Sequence, residues 1–245
     1  MKIQVSVALA VAALSAGCST TPDFRQYAVK INSEDNRQLD EDRTPLCKGG
    51  GTYLFSGYVA TAAHVMDHHL LIAPDVYLRS GEKQAAGVMA VGNREVADAA
   101  ILRLDPDKLP GDLAKLPPLH VCDNDPHVGQ TVAVVLDGVQ REAEVEKFPD
   151  EYGGARLIVA GGHPGVSGSG VFDPEHRCLI GVVSRGVRER EYTPDGKTLL
   201  AERFLGLSFA PASKIVKVSS GQYEIMKRKE YRCEDFEGEV LEERE

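Results

Sequence analysis

Three short segments carry residue types that could act together on one bond. "GHPGVSGSGVFD", residues 162–173, sets Ser167 and Ser169 among glycines and follows them with an apolar pair. A serine hydroxyl is a poor nucleophile until a base takes its proton. "VATAAHV", residues 59–65, places His64 directly after an apolar run. An imidazole, with an unperturbed pKa of about 6.5, can accept that proton at neutral pH and return it to a leaving group. "VADAAILRL", residues 96–104, places Asp98 directly before an apolar run. A carboxylate there can fix the imidazole tautomer and stabilise the imidazolium, provided hydrogen bonds compensate its burial. Gly165 and Gly168 free the backbone around Ser167 to aim the Gly165 and Ser167 amides at a developing oxyanion. The chemistry these pieces specify is acyl transfer through a serine.

Other readings of the same residues are weaker. Ser169 reads as a loop hydroxyl, because the flanking pattern puts the reactive group at 167. "HVMDHH" offers His64, Asp67 and His68 as metal ligands but lacks the HExxH arrangement, and His68 and His69 read as a solvated turn. No metal or cofactor is therefore expected. An α/β-hydrolase fails twice: Ser167 lacks the second glycine of G-x-S-x-G, and the order His, Asp, Ser is wrong for that fold.

The elements that must position these groups are short strands. Before the middle of the chain the apolar runs are Thr52–Phe55, Tyr58–Thr61, Leu70–Ala73, Val76–Leu78, Ala86–Val91 and Ala100–Leu104. A crossover rich in Pro, Asp and Gly follows at about 105–130. The second set is Thr131–Leu136, Gln140–Phe148, Arg156–Ala160, Gly170–Phe172, Leu179–Ser184 and Phe204–Phe209. Helical spacing is confined to the stretch around Ile215 and Val216. Two sets of six strands predict an all-β fold of two six-stranded antiparallel β-barrels with a C-terminal helix.

Composition bounds the rest. The 245 residues are 42% hydrophobic, enough for one large or two small cores. A net charge of −9 argues against nucleic acid, which wants a basic stripe. Residues 1–18 read as an export signal: Lys2, then an apolar stretch from Ile3 to Ala16 that falls short of the ~20 residues a bilayer takes. Leu14-Ser15-Ala16-Gly17-Cys18 is similar to a bacterial lipobox, although Ser15 stands where Leu is usual. Lipidation of Cys18 is the expectation, with cleavage beside Ala16 as the other reading. The protein is thus expected in a bacterial cell envelope, as an outer-membrane lipoprotein facing the periplasm or surface. Otherwise it would be periplasmic or secreted. The remaining cysteines, Cys47, Cys122, Cys178 and Cys233, suggest two disulfides with three possible connectivities. Residues 19–45 read as a polar tether with room for a short strand at Tyr27–Ile31. A folded domain is expected over 46–220, and residues 221–245 read as a helix end and an acidic tail.

"TAAH", "DAAIL" and "GVSGSG", in that order and with these flanks, resemble the chymotrypsin/trypsin-like serine proteases of bacterial type. The resemblance covers roughly residues 47–220 and implies a cleft between two barrels. It makes His64 the base, Asp98 its orienter and Ser167 the nucleophile, acting on protein or peptide substrates. It places the oxyanion hole at Gly165 and Ser167. "LIGVVSRG" is similar to the family's next strand, whose Ser184, Arg185 and Gly186 would pair with substrate and wall the primary pocket. Gly161, Gly162, His163 and Val183 would lie at the same pocket. "GLSFAPASKIV" and "PGVSGSG" resemble the HtrA/Deg branch, without room for its PDZ domain after residue 220. Val166 stands where animal trypsins have an aspartate, and no cysteine follows His64. The uncharged pocket residues speak against basic specificity, and no histidine at 183 marks the glutamate-specific type. A protease-like binding module that cleaves nothing is the alternative reading.

Overall fold

The computed structural model describes residues 22–34, 46–66, 73–93, 96–147, 155–158, 163, 165–193, 199–220 and 239–241. The first sheet comprises β1 (Ala28–Glu34), β2 (Leu46–Tyr53), β3 (Tyr58–Thr61), β4 (Asp75–Tyr77), β5 (Lys83–Ala85), β6 (Gly87–Val91) and β7 (Ala100–Arg103). They pair antiparallel in the order β5-β4-β1-β2-β3-β7-β6. The two edge strands, β5 and β6, are separated only by Ala86, so the sheet curls until its ends meet in one bent stretch of chain. The first sheet is a curled half-barrel of seven short strands, where a closed barrel of six is expected.

The second sheet comprises β8 (Thr131–Leu136), β9 (Val139–Lys147), β10 (Ala155–Ile158), β11 (Gly170–Asp173), β12 (Cys178–Tyr192) and β13 (Leu199–Pro211). Its order is β11-β8-β9-β10-β13-β12, and β11 also pairs with β12, which closes a six-stranded antiparallel barrel. Alternation drives this closure: Ala143 and Val145 of β9 are buried while Arg141, Glu142 and Glu144 face water. The interior of the first sheet holds Ile31, Val59, Leu102 and Leu104, all essentially without exposure. Each such side chain contributes about 1.5–3 kcal/mol relative to an exposed one.

The crossover leaves β7 through a 3₁₀ turn at Pro106–Lys108, capped by the Asp105 carboxylate on the Asp107 amide, and one helical turn, α1 (Gly111–Ala114). Leu113 and Leu119 anchor it in the first core. The crossover then reaches Cys122, which forms a disulfide with Cys178 at the start of β12. Bridging 56 positions, that bond removes roughly 4 kcal/mol of unfolded-chain entropy in the loop-closure picture. Cys233 and the side chain of Cys47 lie outside the described residues. The C-terminal helix is α2 (Ala212–Ser219), whose first turn is held by the Asp125 carboxylate on the Ser213 N–H at 2.8 Å.

Three further expectations are corrected. The tether expected over 19–45 is not one throughout: a 3₁₀ turn at Phe24–Tyr27 and the central strand β1 belong to the fold. Phe24 stacks on Phe172 of the other barrel with ring centroids 4.4 Å apart, and Gln140 holds the Phe24 N–H and the Pro22 carbonyl. The acidic tail contributes β14 (Glu239–Leu241), which pairs parallel with β12. The short strands expected at Leu179–Ser184 and Phe204–Phe209 are parts of a long hairpin of β12 and β13. Of the strand expected at Leu70–Ala73, residues 70–72 lie outside the described residues, as do Asp67, His68 and His69.

Candidate active site

His64 is placed by the way β3 ends. After Thr61 the chain tightens into a 3₁₀ turn at Ala63–Val65 whose neighbours Ala62, Ala63, Val65 and Met66 are all buried. The Ser33 hydroxyl of β1 donates to the Val65 carbonyl at 2.7 Å and pins the turn. Asp98 sits in the turn between β6 and β7, closed by Gly92 N–H to Ala99 O at 2.8 Å and Ala97 N–H to Asn93 O at 2.6 Å. A Cβ on Gly92 would lie 2.8 Å from Val218 Cγ2, so α2 packs directly on the turn that presents Asp98.

The carboxylate is 5% exposed and the imidazole 9%, so their charge is handled internally. Asp98 Oδ1 accepts the His64 backbone N–H at 3.0 Å, and Oδ2 accepts from His64 Nδ1 at 2.8 Å. The Ser184 hydroxyl also donates to Oδ2. Burial alone would raise the Asp98 carboxyl. Attraction to the imidazolium and the hydrogen bonds from His64 and Ser184 outweigh it and hold that group well below the usual carboxylate range. With Nδ1–H committed to Asp98, the Nε2 lone pair is left as the base.

Ser167 is fixed through its backbone. The Gly50 N–H of β2 donates to the Ser167 carbonyl at 2.7 Å, and the Gly168 N–H donates to Val183 O at 2.6 Å. Gly168 has φ +85°, and a Cβ there would lie 2.2 Å from both Gly50 O and Thr61 Oγ1. A Cβ on Gly49 would lie 2.8 Å from the Ser167 carbonyl, and one on Gly50 2.6 Å from Ser169 Oγ. Two backbones therefore touch here, β2 of one barrel and the serine loop of the other, and only glycine leaves room. The sequence reading missed this role; its signal was the run "KGGGTY" inside a strand.

Ser184 joins the parts. Pairing between β12 and β13 runs through Val183↔Phe209 and resumes at Gly186↔Leu207, so Ser184 and Arg185 bulge out of the ladder. The Ser167 hydroxyl donates to the bulged Ser184 carbonyl at 3.0 Å while the Ser184 hydroxyl holds Asp98. Ser184 was expected only to pair with substrate; its hydroxyl has this second task. Gly165 has φ +96°, a conformation open to glycine. Among the described residues, neither the Gly165 nor the Ser167 N–H has a hydrogen-bond partner. Amides without partners on either side of the loop at Ser167 are the kind of donor that can receive a developing oxyanion.

The expected pocket residues are dispersed. Val183 lies in the second core, where its N–H and carbonyl hold Ser169 and Gly168 and its side chain is buried. His163 turns to Asp137 in the β8–β9 turn, with Nε2 2.5 Å from Oδ2. Arg185 and Gly186 are partly exposed along β12, while Gly161 and Gly162 lie outside the described residues.

Ser167, Ser184, Asp98 and His64 are thus linked in one chain of contacts where the two antiparallel sheets meet. The chain belongs to the trypsin-like peptidase domain family, which matches residues 49–182. Membership of that family makes it a trypsin-like serine peptidase. No curated protein is similar enough in sequence to register as a match. Among solved structures, the Rv3671c protease of M. tuberculosis in its active form is similar at 19% identity and a TM-score of 0.53, over 95% of this chain and 96% of that one. The serine endoprotease of Yersinia pestis is similar at 17% identity and a TM-score of 0.52, over 81% of this chain and 63% of that one. At such identities the likeness is one of fold.

Proposed function

We propose that the protein hydrolyses peptide bonds through an acyl-enzyme on Ser167, with His64 as base and Asp98 as its orienter. The Ser167 hydroxyl turns from the Ser184 carbonyl towards His64, giving up a hydrogen bond of about 0.5–1.5 kcal/mol. His64 Nε2 takes the proton as Ser167 Oγ bonds to the scissile carbonyl carbon. The oxyanion meets the Gly165 and Ser167 amides. His64 then returns the proton to the leaving amine as the C–N bond breaks, and water repeats the sequence on the ester. Ser184, Arg185 and Gly186 would hold the acyl portion as an added strand. The observation that carries this reading is the short chain of contacts from Ser167 through Ser184 to Asp98 and His64. A binding module would have no chemical need of it. The purified chain is expected to take up a fluorophosphonate probe at Ser167, and denatured chain is not. Native protein that takes up no probe would leave the silent binding module as the better reading.

The second half of the proposal concerns place. Cys18 after a lipobox-like run would carry acyl chains, and Ser19 resembles the outer-membrane sorting pattern of Gram-negative lipoproteins. Each buried CH₂ contributes about 0.8 kcal/mol, so several chains attach stably, whereas an acidic chain has no attraction to anionic lipid. In cells given labelled fatty acid, wild-type protein is expected in the membrane fraction with label. Cys18→Ala is expected as uncleaved precursor or soluble protein without it. Unlabelled, soluble wild-type protein would make this an ordinary secreted peptidase.

A further inference from the structure

We propose that the groove on the leaving-group side of Ser167 is a subsite for acidic substrate residues just after the scissile bond, an inference that rests on the peptidase reading above. The groove has a volume of about 710 Å³, within the range of about 300–1,000 Å³ usual for ligand sites. It opens beside Gly165, runs over Gly49–Gly51 of β2, and continues across the outward face of β1. Its opposite wall is the β8–β9 turn at Asp137 and Gly138. Val29 and Ile31 point into the core, so Lys30 and Asn32 must face outward along the groove. Lys30 stands across from Gly50 on β2, and Asn32 across from Lys48. The glycine next to Lys30 offers no side chain to shield its ammonium.

The charges along the groove are one-sided. Among the described residues, Arg25, Lys30, Lys48 and Arg79 line it, against Asp137. Two of these five already have partners. Arg25 grips both oxygens of Asp23 at 2.8 Å, a carboxylate that Arg79 also acts on at longer range. Asp137 is held by His163. Lys30 and Lys48 make no ion pair among the described residues. On a chain of net charge −9, this is, among the described residues, a local excess of cations beside Gly165 and Ser169.

Position assigns the excess to the leaving side. Ser167 lies between two walls: its hydroxyl bonds Ser184 on β12, and its carbonyl accepts from Gly50 on β2. A substrate whose acyl portion runs along β12 departs over the glycines of β2 and enters the groove. Carboxylates there would meet Lys30 and Lys48 in the ground state and the transition state alike. Such uniform binding lowers KM and leaves kcat nearly unchanged. Each exposed pair changes affinity by at most a few-fold, so two together give about tenfold, screened by salt.

The test uses the full exported chain and quenched peptides built around one bond it cleaves. The peptides carry Glu-Glu, Gln-Gln or Lys-Lys at the second and third residues after that bond. Wild type is expected to prefer Glu-Glu over Lys-Lys by about tenfold in kcat/KM, chiefly through KM. The preference should shrink between about 50 and 500 mM salt. Lys30→Glu combined with Lys48→Glu is expected to reverse the order, with circular dichroism showing an unchanged fold. In parallel, Ser167→Ala should bind a labelled Glu-Glu peptide about tenfold more tightly than the same chain with both lysines reversed. Equal rates on all three peptides, with fluorophosphonate uptake intact, would overturn the acidic subsite and leave the peptidase reading standing. Charge-dependent binding by Ser167→Ala, with no probe uptake or cleavage by wild type, would support the groove and overturn the peptidase reading.

Discussion

Ser167→Ala is expected to lower kcat/KM on a protein substrate by about 10⁴-fold or more, while the fold survives. A factor of that size corresponds to at least ~5.5 kcal/mol of transition-state stabilisation, because no acyl-enzyme can form and the base has no hydroxyl to act on. The structural loss is small by comparison. The side chain makes one hydrogen bond, to the Ser184 carbonyl, worth about 0.5–1.5 kcal/mol. The contacts that hold the loop, Gly50 N–H to Ser167 O and Gly168 N–H to Val183 O, are backbone and remain. Thermal melting should therefore shift by only a few degrees. Uptake of fluorophosphonate should vanish. Ser169→Ala is the control: its hydroxyl packs against Gly50 in the interface between barrels, and its loss should leave probe uptake in place. Wild-type cleavage by the Ser167→Ala chain would remove Ser167 from the chemistry altogether.

How much of this was legible beforehand follows from the kind of signal each part leaves. A strand with one wet and one dry face, such as β9, writes its period into the sequence, while β3, β7 and β8 are buried on both faces and show as unbroken apolar runs. All four lie within a residue or two of the expected bounds. His64 and Asp98 were legible because each flanks an apolar strand, which places it at a barrel rim. The extended half of the β12–β13 hairpin was not, since "REREY" and "LLAER" read as loop until the two strands pair with each other. In the N-terminal segment Tyr27, Val29 and Ile31 keep the strand period and marked a short strand, but the polar composition hid that this strand lies inside the first sheet. Backbone-to-backbone contact leaves almost no trace. Gly49, Gly50 and Gly168 meet across the barrels because none has a Cβ, and a run of glycines in sequence is equally a flexible turn. The Ser184 hydroxyl on Asp98 spans 86 positions of chain, a relation only the closed fold creates.

Asp98→Asn should reduce kcat near neutral pH by about 10⁴-fold, nearly as much as loss of the nucleophile. In the wild type, Oδ2 accepts from both His64 Nδ1–H and the Ser184 hydroxyl, and Oδ1 accepts the His64 backbone N–H. An asparagine that keeps its oxygen on the His64 amide must present its NH₂ to the other two. The Ser184 hydroxyl can rotate and accept. The imidazole can accept only by moving its proton from Nδ1 to Nε2, and Nε2–H cannot take a proton from Ser167. The same substitution alters stability with a definite sign. The Asp98 carboxyl is lowered in the fold, burial being outweighed by His64 and the hydrogen bonds. Its ionised form therefore stabilises the native state fully above the unfolded value of about 3.9, and that contribution is lost as the pH falls below it. The asparagine amide does not titrate, so the Asp98→Asn chain lacks this part of the acid dependence. Denaturant unfolding at pH 7 and pH 3 should show wild type losing more stability than the variant. Parallel losses in the two chains would mean that Asp98 is not held ionised by His64, and the orienting role would fall with it.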